Sequence, residues 1–374
     1  LIVIQYRHIG NRVQNITSQV RPLIQHQHII MKKKPIPVIL GIVLFAVIVT
    51  FSWSRMKSRV DVTPPATFKK EVVRLAVAKA LITAPVLLAL HLDYFAEEGL
   101  EVLVTGEFSS GKGSFESMLA GNADISTPAT TPVVFSSFER QDYSIFATYV
   151  TTYEGIKLVA RTDRGINAAM DLKNKRIGMV PGTISQILLD MFLAYNKIML
   201  NEVVIFGLKG HELPEALISG QVDAISVWEP HANNALYKLA GSGIQIPSSQ
   251  VYRIAINMAV MNDYARKHPQ VLEKVVRALI KATDFIKTNN QTAKKMISEI
   301  LKMDESLISN YWKESVNTVS LDQLLLVTME NEAKWAIEHK ITEIKNVPNY
   351  LNYINYQAME TVNPDLVTII REVK

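Results

Sequence analysis

From residue 71 onward the chain alternates between short β-branched runs and amphipathic stretches with helical spacing. "EVVRLAVA" predicts a first strand. "TAPVLLALHLDYFAEEG" predicts a helix with Thr83 as N-cap and Pro85 in its first turn. "LEVLVTGEF" predicts a second strand, "SFESMLAG" a short helix ending at Gly121, "ADIST" a third strand, and "PATTPVVFSSFER" another helix entry. The alternation then restarts: strand "KRIGMV", helix "GTISQILLDMFLAYN", strand "EVVIFGL", helix "ELPEALISG", strand "VDAISVW". Such alternation predicts an α/β protein whose strands lie parallel and are joined by right-handed crossovers. From about Val251 the pattern turns helical, through "NDYARKHPQVLEKVVRALIKATDFIKTN", "TAKKMISEIL", "SLISNYWKES" and "LDQLLLVTMENEAKWAIEHK". Val271, Val275, Ala278, Leu279 and Ala282 carry the helical spacing there.

One phrase occurs twice. "ESMLAGNADISTPATTP" (116–132) and "EALISGQVDAISVWEP" (215–230) place Glu116, Gly121 and Asp124 in register with Glu215, Gly220 and Asp223. In each copy an amphipathic helix stops at a Gly suited to the left-handed C-cap, Asp makes a turn, and an apolar strand follows. Two copies predict two lobes of similar build; a solenoid needs three or more repeats.

Composition adds a leader and removes a partner. The 374 residues are 48% hydrophobic, enough for a buried core, and carry a formal charge of +5. Residues 1–59 hold nine Lys or Arg and no acid, which leaves 31 basic against 35 acidic residues in 60–374, a net of −4. The folded body is therefore not a basic surface for nucleic acid. Met31 opens "MKKKPIPVILGIVLFAVIVTFSWSRMKSR", three lysines ahead of an uncharged run from Ile36 to Phe51. That is an export signal. It reads as a cleaved signal peptide in preference to a signal anchor, because the run is short of the ~20 residues that span a bilayer. If retained, it ties the chain to the inner membrane. Residues 1–30 precede that start and read as an upstream, non-native segment. Cysteine is absent, which removes thiol catalysis, thiolate metal sites and lipid attachment at a Cys.

Catalytic signatures are missing as well. His91, His211, His231, His268 and His339 are scattered, with no H-E-x-x-H, and there is no G-x-S-x-G elbow. "SGKGS" (110–114) lacks the spacing of a phosphate loop. These absences point away from an enzyme and give no cofactor and no metal site. Polar loops at the carboxyl ends of predicted strands stand out instead, the edge where open α/β sheets bind ligands. They are Lys79 to Thr83, Ser109 to Ser114 (with Ser110 and Gly111), Thr127 to Thr131, Gly182 to Ser185, and Trp228-Glu229. Several open helices, whose free N–H groups suit an anionic or polar ligand. Each has a plainer reading beside it. Thr83, Thr130 and Thr183 serve equally as caps, Lys112 as a solvated lysine, Trp228 as lobe core and His231 as surface. Thr152, in "TTY" (151–153), is either hinge or site.

"PVLLALHLDYFAEEGLEV", "LAGNADI", "DLKNKRIGM…GT", "EALISGQVDAISVWEP" and "KHPQVLEKVVRALIKATDFI" resemble the periplasmic substrate-binding proteins of ABC importers for nitrate, taurine and aliphatic sulfonates. The likeness runs in order from about Val72 to Ile370. It implies the two-lobed type II periplasmic-binding fold, each lobe a central sheet flanked by helices, with the C-terminal helices packed back on the first lobe. The implied division is 1–30 upstream, 31–54 signal peptide or anchor, 55–70 linker, 71–155 and 252–374 lobe 1, and 156–251 lobe 2. The chain would cross between lobes near Thr151 to Arg161 and near Ser249 to Ile254. The resemblance further implies a periplasmic or other extracytoplasmic protein that holds a small molecule in its cleft. Its implied partners are a permease and that permease's ATPase subunit. Carried over residue by residue, the ligand loops fall on Lys79 to Thr83, Ser109 to Ser114 (Ser109, Ser110, Gly111 and Ser114), Thr127 to Thr130, Gly182-Thr183 and Trp228, to which the strand-end reading adds Thr152 and Ser185. None of these loops carries an Arg. Glu229 repels an anion if it faces the ligand and suits an ammonium group if the ligand has one. A membrane-tethered sensor and an enzyme of the same fold are the other readings. The yeast-type thiamine-pyrimidine synthase of this fold family uses a cysteine-rich motif that this chain lacks. Its menaquinone-synthesis dehydratases are cytosolic, against the export signal.

Overall fold

The computed structural model describes residues 70–371 except 154, 248–251 and 314. The upstream segment, the leader and nearly all of the linker lie outside the described residues, as does part of each proposed crossing between lobes. Among the described residues no helix is long and apolar enough to cross a membrane.

The β-branched runs of the sequence become strands of two separate sheets. In chain order these are β1 (Glu71–Ala78), β2 (Leu100–Phe108), β3 (Ile125–Ser126), β4 (Tyr143–Thr152), β5 (Lys157–Arg161) and β6 (Arg176–Met179). Then follow β7 (Val204–Gly207), β8 (Ala224–Val227), β9 (Gly243–Ile246), β10 (Ile254–Met261) and β11 (Ser315–Ser320). The first sheet has the order β11-β4-β10-β3-β1-β2 and the second β7-β6-β8-β5-β9. Read from one edge, each sheet repeats a plan. Three strands, β2-β1-β3 or β7-β6-β8, run parallel, and the next strand, β10 or β5, is antiparallel to them.

The all-parallel expectation is thereby corrected to mixed sheets. The strand closing each parallel set, β10 or β5, is the first strand of its sheet after the chain arrives from the other one, and it enters in the opposite direction. Strands β4 and β10 are fully or almost fully buried along their length. Such runs carry no period of two, so the alternation rule passes over them. β11 was also hidden, inside a stretch that reads as helical. "ADIST" yields only the two residues of β3.

The repeated phrase has a physical basis in this plan. Helices Gly111–Leu119 and Leu213–Ile218 each run out to a glycine with φ near +80°, Gly121 and Gly220. The aspartate that follows does more than turn the chain. Asp124 Oδ2 accepts from Arg74 N (2.8 Å), its Oδ1 accepts from Arg74 Nη2 (2.6 Å), and its own N–H donates to Arg74 O (2.8 Å). Asp223 repeats every bond with Arg176, at 3.0, 2.7 and 2.7 Å. Each clasp ties the turn before the third parallel strand to the start of the middle one. Burial raises the Asp223 pKa, but hydrogen bonds from Arg176 outweigh it and hold the carboxyl below its usual range.

Helices cover the sheets. Pro269–Thr288 buries Val271, Leu272, Val275, Ala278, Leu279 and Ala282. Its outer lysines and arginine pair with the first lobe: Lys274 with Glu71, Arg277 with Glu98, and Lys281 with Glu97 and Glu98. The C-terminal helices thus pack back on the first sheet. The helix expected over "TAPVLLALHLDYFAEEG" is split into Ala84–His91 and Tyr94–Glu97 by Asp93, whose φ of 57° is left-handed.

Candidate functional site

The parallel strands of both sheets end on a common cleft. Its walls come from the turn after β1 (Ala80, Ile82), the start of helix Gly111–Leu119 (Ser110, Gly111, Lys112) and the entry to helix Thr130–Ser137 (Ala129, Pro132). The second sheet contributes Thr183 and Ile184, which open helix Ile184–Tyr195, and Trp228 at the end of β8. It encloses roughly 370 Å³ of non-atom space, open solvent at its mouth included.

Local chemistry explains why these residues line it. Ser110 caps helix Gly111–Leu119, its Oγ accepting from Gly113 N (3.1 Å). Gly111 sits so close to Thr127 and Pro128 that a Cβ would lie 3.0 Å from Thr127 O, so this position needs a glycine's slimness. Thr183 caps helix Ile184–Tyr195 by accepting from Ser185 N (3.2 Å) while donating to Val180 O (2.8 Å). Both helices therefore direct their N-terminal N–H groups at the cleft. Trp228 packs over Gly210, and its Nε1 is buried without a hydrogen-bond partner among the described residues.

Lys112 changes role. Read in sequence as a solvated lysine, it reaches across the cleft, and its Nζ donates to Pro181 O (3.2 Å). Gly182, with φ +70°, leaves room for it: a Cβ there would stand 2.7 Å from that Nζ. Ser109, Lys112 and Glu116 face Val180, Pro181 and Leu208 across a groove at the mouth.

Several expected site residues lie behind the lining. Thr83 does not cap its helix; buried, its Oγ1 lies 2.6 Å from Ala78 O and 2.8 Å from Ala80 O and fastens that turn. Thr127 Oγ1 accepts from Ala78 N (3.1 Å), and Ser114 Oγ donates to Gly111 O (2.9 Å). Ser185 Oγ donates to Ser226 O (2.7 Å), bolting its helix to β8. Thr152 ends β4, buried and away from the lining. Lys79 turns outward to Glu107 (3.0 Å).

Thr130 is no cap either. With Thr131 and Tyr252 it donates to Glu332 Oε1, at 2.8, 3.1 and 2.9 Å. Glu332 comes from helix Gln323–Glu338 and was invisible as a site neighbour in the sequence. Its burial pushes the carboxyl up to about 7, against the pull of those three hydroxyls. Glu229 leaves the cleft for a separate cavity with Lys157, Gln245 and Tyr311, and its Oε2 accepts from Asn233 N (2.9 Å). Burial raises its pKa too. His231, expected at the surface, is half-buried beside Trp228, and burial, then His211, lowers it to about 4. No carboxylate lines the cleft. Among the described residues no group of three or more His, Cys, Asp or Glu is placed to hold a metal.

Comparison with known proteins adds four findings. The family model described as NMT1/THI5 like matches residues 82–293. A Bacillus subtilis (strain 168) protein, provisionally named an aliphatic sulfonates-binding protein, is 25% identical over 245 residues, 64% of this chain and 72% of that one. The solved alkanesulfonate-binding protein SsuA of Xanthomonas axonopodis pv. citri, bound to MOPS, superposes with a TM-score of 0.65 at 16% identity. That match covers 76% of this chain and 98% of SsuA. The desulfurization enzyme DSZB also shares the fold, with a TM-score of 0.59 at 12% identity over 79% of this chain and 99% of that one. The architecture is thus the periplasmic-binding-protein fold.

Proposed function

The chain belongs to the NMT1/THI5-like family, and from that premise we propose that it is an extracytoplasmic receptor for a small anion with an apolar body. It holds this ligand between its lobes and hands it to the permease of an ABC importer driven by an ATPase subunit. The observation that carries the reading is the lining of the cleft. Ile82, Ala129, Pro132, Ile184 and the Trp228 ring offer apolar surface, while the polar groups facing the space are donors: Lys112, Ser110 and two helix N-termini. Lys112 also stands 3.8 Å from Glu116 at the mouth, but no carboxylate lines the cleft itself, and donors there suit a group that only accepts, such as a sulfonate or carboxylate. Each buried methylene of the ligand adds about 0.8 kcal/mol. Alkyl- and arylsulfonates therefore outrank nitrate, which has no apolar body. They also outrank taurine and aminopyrimidines, whose nitrogen would look for the carboxylate that Glu229 holds elsewhere.

In this reading Ser110, Gly111, Lys112, Thr183 and Trp228 touch the ligand. Thr83, Ser114, Thr127, Thr130 and Ser185 hold the loops that present them. The lobes close over the ligand by a hinge, giving the permease a distinct surface to recognise. The basic, apolar leader supplies the export that this location requires.

A thermal-shift panel tests the proposal, with hexane-, octane- and benzenesulfonate, taurine, nitrate, dicarboxylates and an aminopyrimidine, followed by mass analysis of the recovered ligand. A ligand at 100 times its dissociation constant adds about 2.7 kcal/mol to the native state. At this chain length that is a rise of roughly 2–4 °C per kcal/mol. The expected result is stabilisation by the longer sulfonates, recovered unchanged. Stabilisation by ammonium-bearing ligands alone contradicts the ligand class, and a converted product favours an enzyme on the fold that DSZB shares.

A further inference from the structure

Two helices that begin at the cleft, Ile184–Tyr195 and Thr130–Ser137, both reach helix Gln323–Glu338 further out. Helix Ile184–Tyr195 of the second lobe carries Asp190, and helix Gln323–Glu338 of the first lobe carries Trp335, with His339 just beyond its end. Asp190 Oδ2 accepts from Trp335 Nε1 at 2.7 Å and lies 3.0 Å from His339 Nε2. The other ring nitrogen, Nδ1, stands 2.8 Å from Trp335 O. The His339 ring stacks on Trp335 at 4.3 Å, and the indole stacks on Phe135, one turn beyond the cleft residue Pro132. The assembly therefore ties the two lobes together along one flank of the cleft.

The donor count at His339 decides its state. Both ring nitrogens face oxygen acceptors, a carboxylate on one side and a carbonyl on the other. A neutral imidazole has one N–H and must leave one of those contacts as lone pair against lone pair; the imidazolium donates to both. We propose that Asp190, Trp335 and His339 form a proton-dependent latch that holds the lobes closed when His339 is protonated and loosens when it is neutral. The latch is independent of what the cleft takes. Its consequence is a receptor whose closure strengthens in acidic surroundings, the range in which histidine changes charge.

The groups facing His339 are few. Helix Ile184–Tyr195 presents Asp190 alone to it, and Thr130–Ser137, "TTPVVFSS", has no ionisable residue. Tyr350 and Tyr353, also packed against helix Gln323–Glu338, direct their hydroxyls to Ser137. On its own helix Glu332 is buried on Thr130, Thr131 and Tyr252, and Glu338 and Lys340 flank it at the surface. Of the ionisable residues within that helix, Glu330, Lys334 and Glu338 are exposed and only Glu332 is buried, which makes Glu332 the rival to test.

The absence of cysteine makes the test clean, because two spin labels can be placed without removing any native thiol. Tyr195→Cys in the second lobe and Leu103→Cys on β2 are both well-exposed positions. Inter-label distances are then measured on the full chain between pH 5.5 and 8.5. The expected closed-to-open ratio falls by about fivefold across that range, the size of one partly screened ion pair. His339→Gln should flatten the response, Glu332→Gln should preserve it, and Asp190→Asn should hold the acidic sample at the alkaline ratio. A distance distribution that ignores pH overturns the latch. So does a response that survives His339→Gln or disappears with Glu332→Gln.

Discussion

The two lobes contain the same clasp in different surroundings. In the first, Gly121 stands free, with nothing within 4 Å of where a Cβ would go. In the second, Gly220 lies beneath two arginines, with Arg164 Nη2 3.0 Å from that point and Arg161 Nη1 at 3.5 Å. Asp124 and Asp223 make the same three bonds to Arg74 and Arg176. The shared part is therefore what the backbone demands: a left-handed turn, then a carboxylate positioned for two N–H groups. The surroundings are free to differ. Where the lobes differ most is behind the cleft. The first lobe backs its cleft loop with the buried carboxyl of Glu332, whereas the second backs its own with the neutral pair Ser185 and Ser226.

The largest expected effect sharpens that last contrast. Glu332 titrates at about 7 in the folded chain and about 4.5 when unfolded. The native state therefore holds its proton more tightly than the unfolded state. Stability is full below pH 4.5, declines as pH rises toward 7, and is level above it. The difference amounts to about 3 kcal/mol. Glu332→Gln should flatten this stretch of a urea-unfolding profile, while Ser226→Ala in the second lobe should leave its shape unchanged.

Breaking the clasps comes next. Asp124→Ala and Asp223→Ala each leave a main-chain N–H and a guanidinium without their acceptor, at a cost of about 2 kcal/mol. Equal losses in urea unfolding would show that the repeat is energetic as well as geometric. The depressed Asp223 pKa adds a sign: its contribution is present above the ordinary carboxylate range and lost as pH falls through the lower folded value. The smallest effect separates the glycines. Gly121→Ala should cost about 1 kcal/mol for left-handed backbone alone. Gly220→Ala should cost more, because the added methyl also displaces Arg164. Equal melting-temperature shifts for the pair would remove the distinction drawn between the two surroundings.

The same contrast explains what could be read in the chain beforehand. Gly121, Asp124, Gly220 and Asp223 were legible because turns impose residue types locally, a few positions apart. Strand β1, strand β2 and the Thr183 cap were legible for the same reason. Strands β4 and β10 were not, since a strand buried on both faces looks like any other apolar run. Lys112, Glu332 and the Asp190–Trp335–His339 group were hidden by distance: Thr130 and Glu332 meet across 202 positions, and Asp190 and Trp335 across 145. Of the expected residues, Ser110, Gly111, Thr183 and Trp228 line the cleft. Which residue of a loop faces inward depends on whether its side chain is already claimed by a neighbouring carbonyl, as at Thr83 and Ser185.

Calorimetric titration of octanesulfonate into the protein, alongside Lys112→Met and Trp228→Ala, tests the central claim most directly. The account predicts one ligand per chain and a loss of at least about tenfold in affinity for each variant, about 1.4 kcal/mol. No heat of binding, or binding that neither variant weakens, would contradict it.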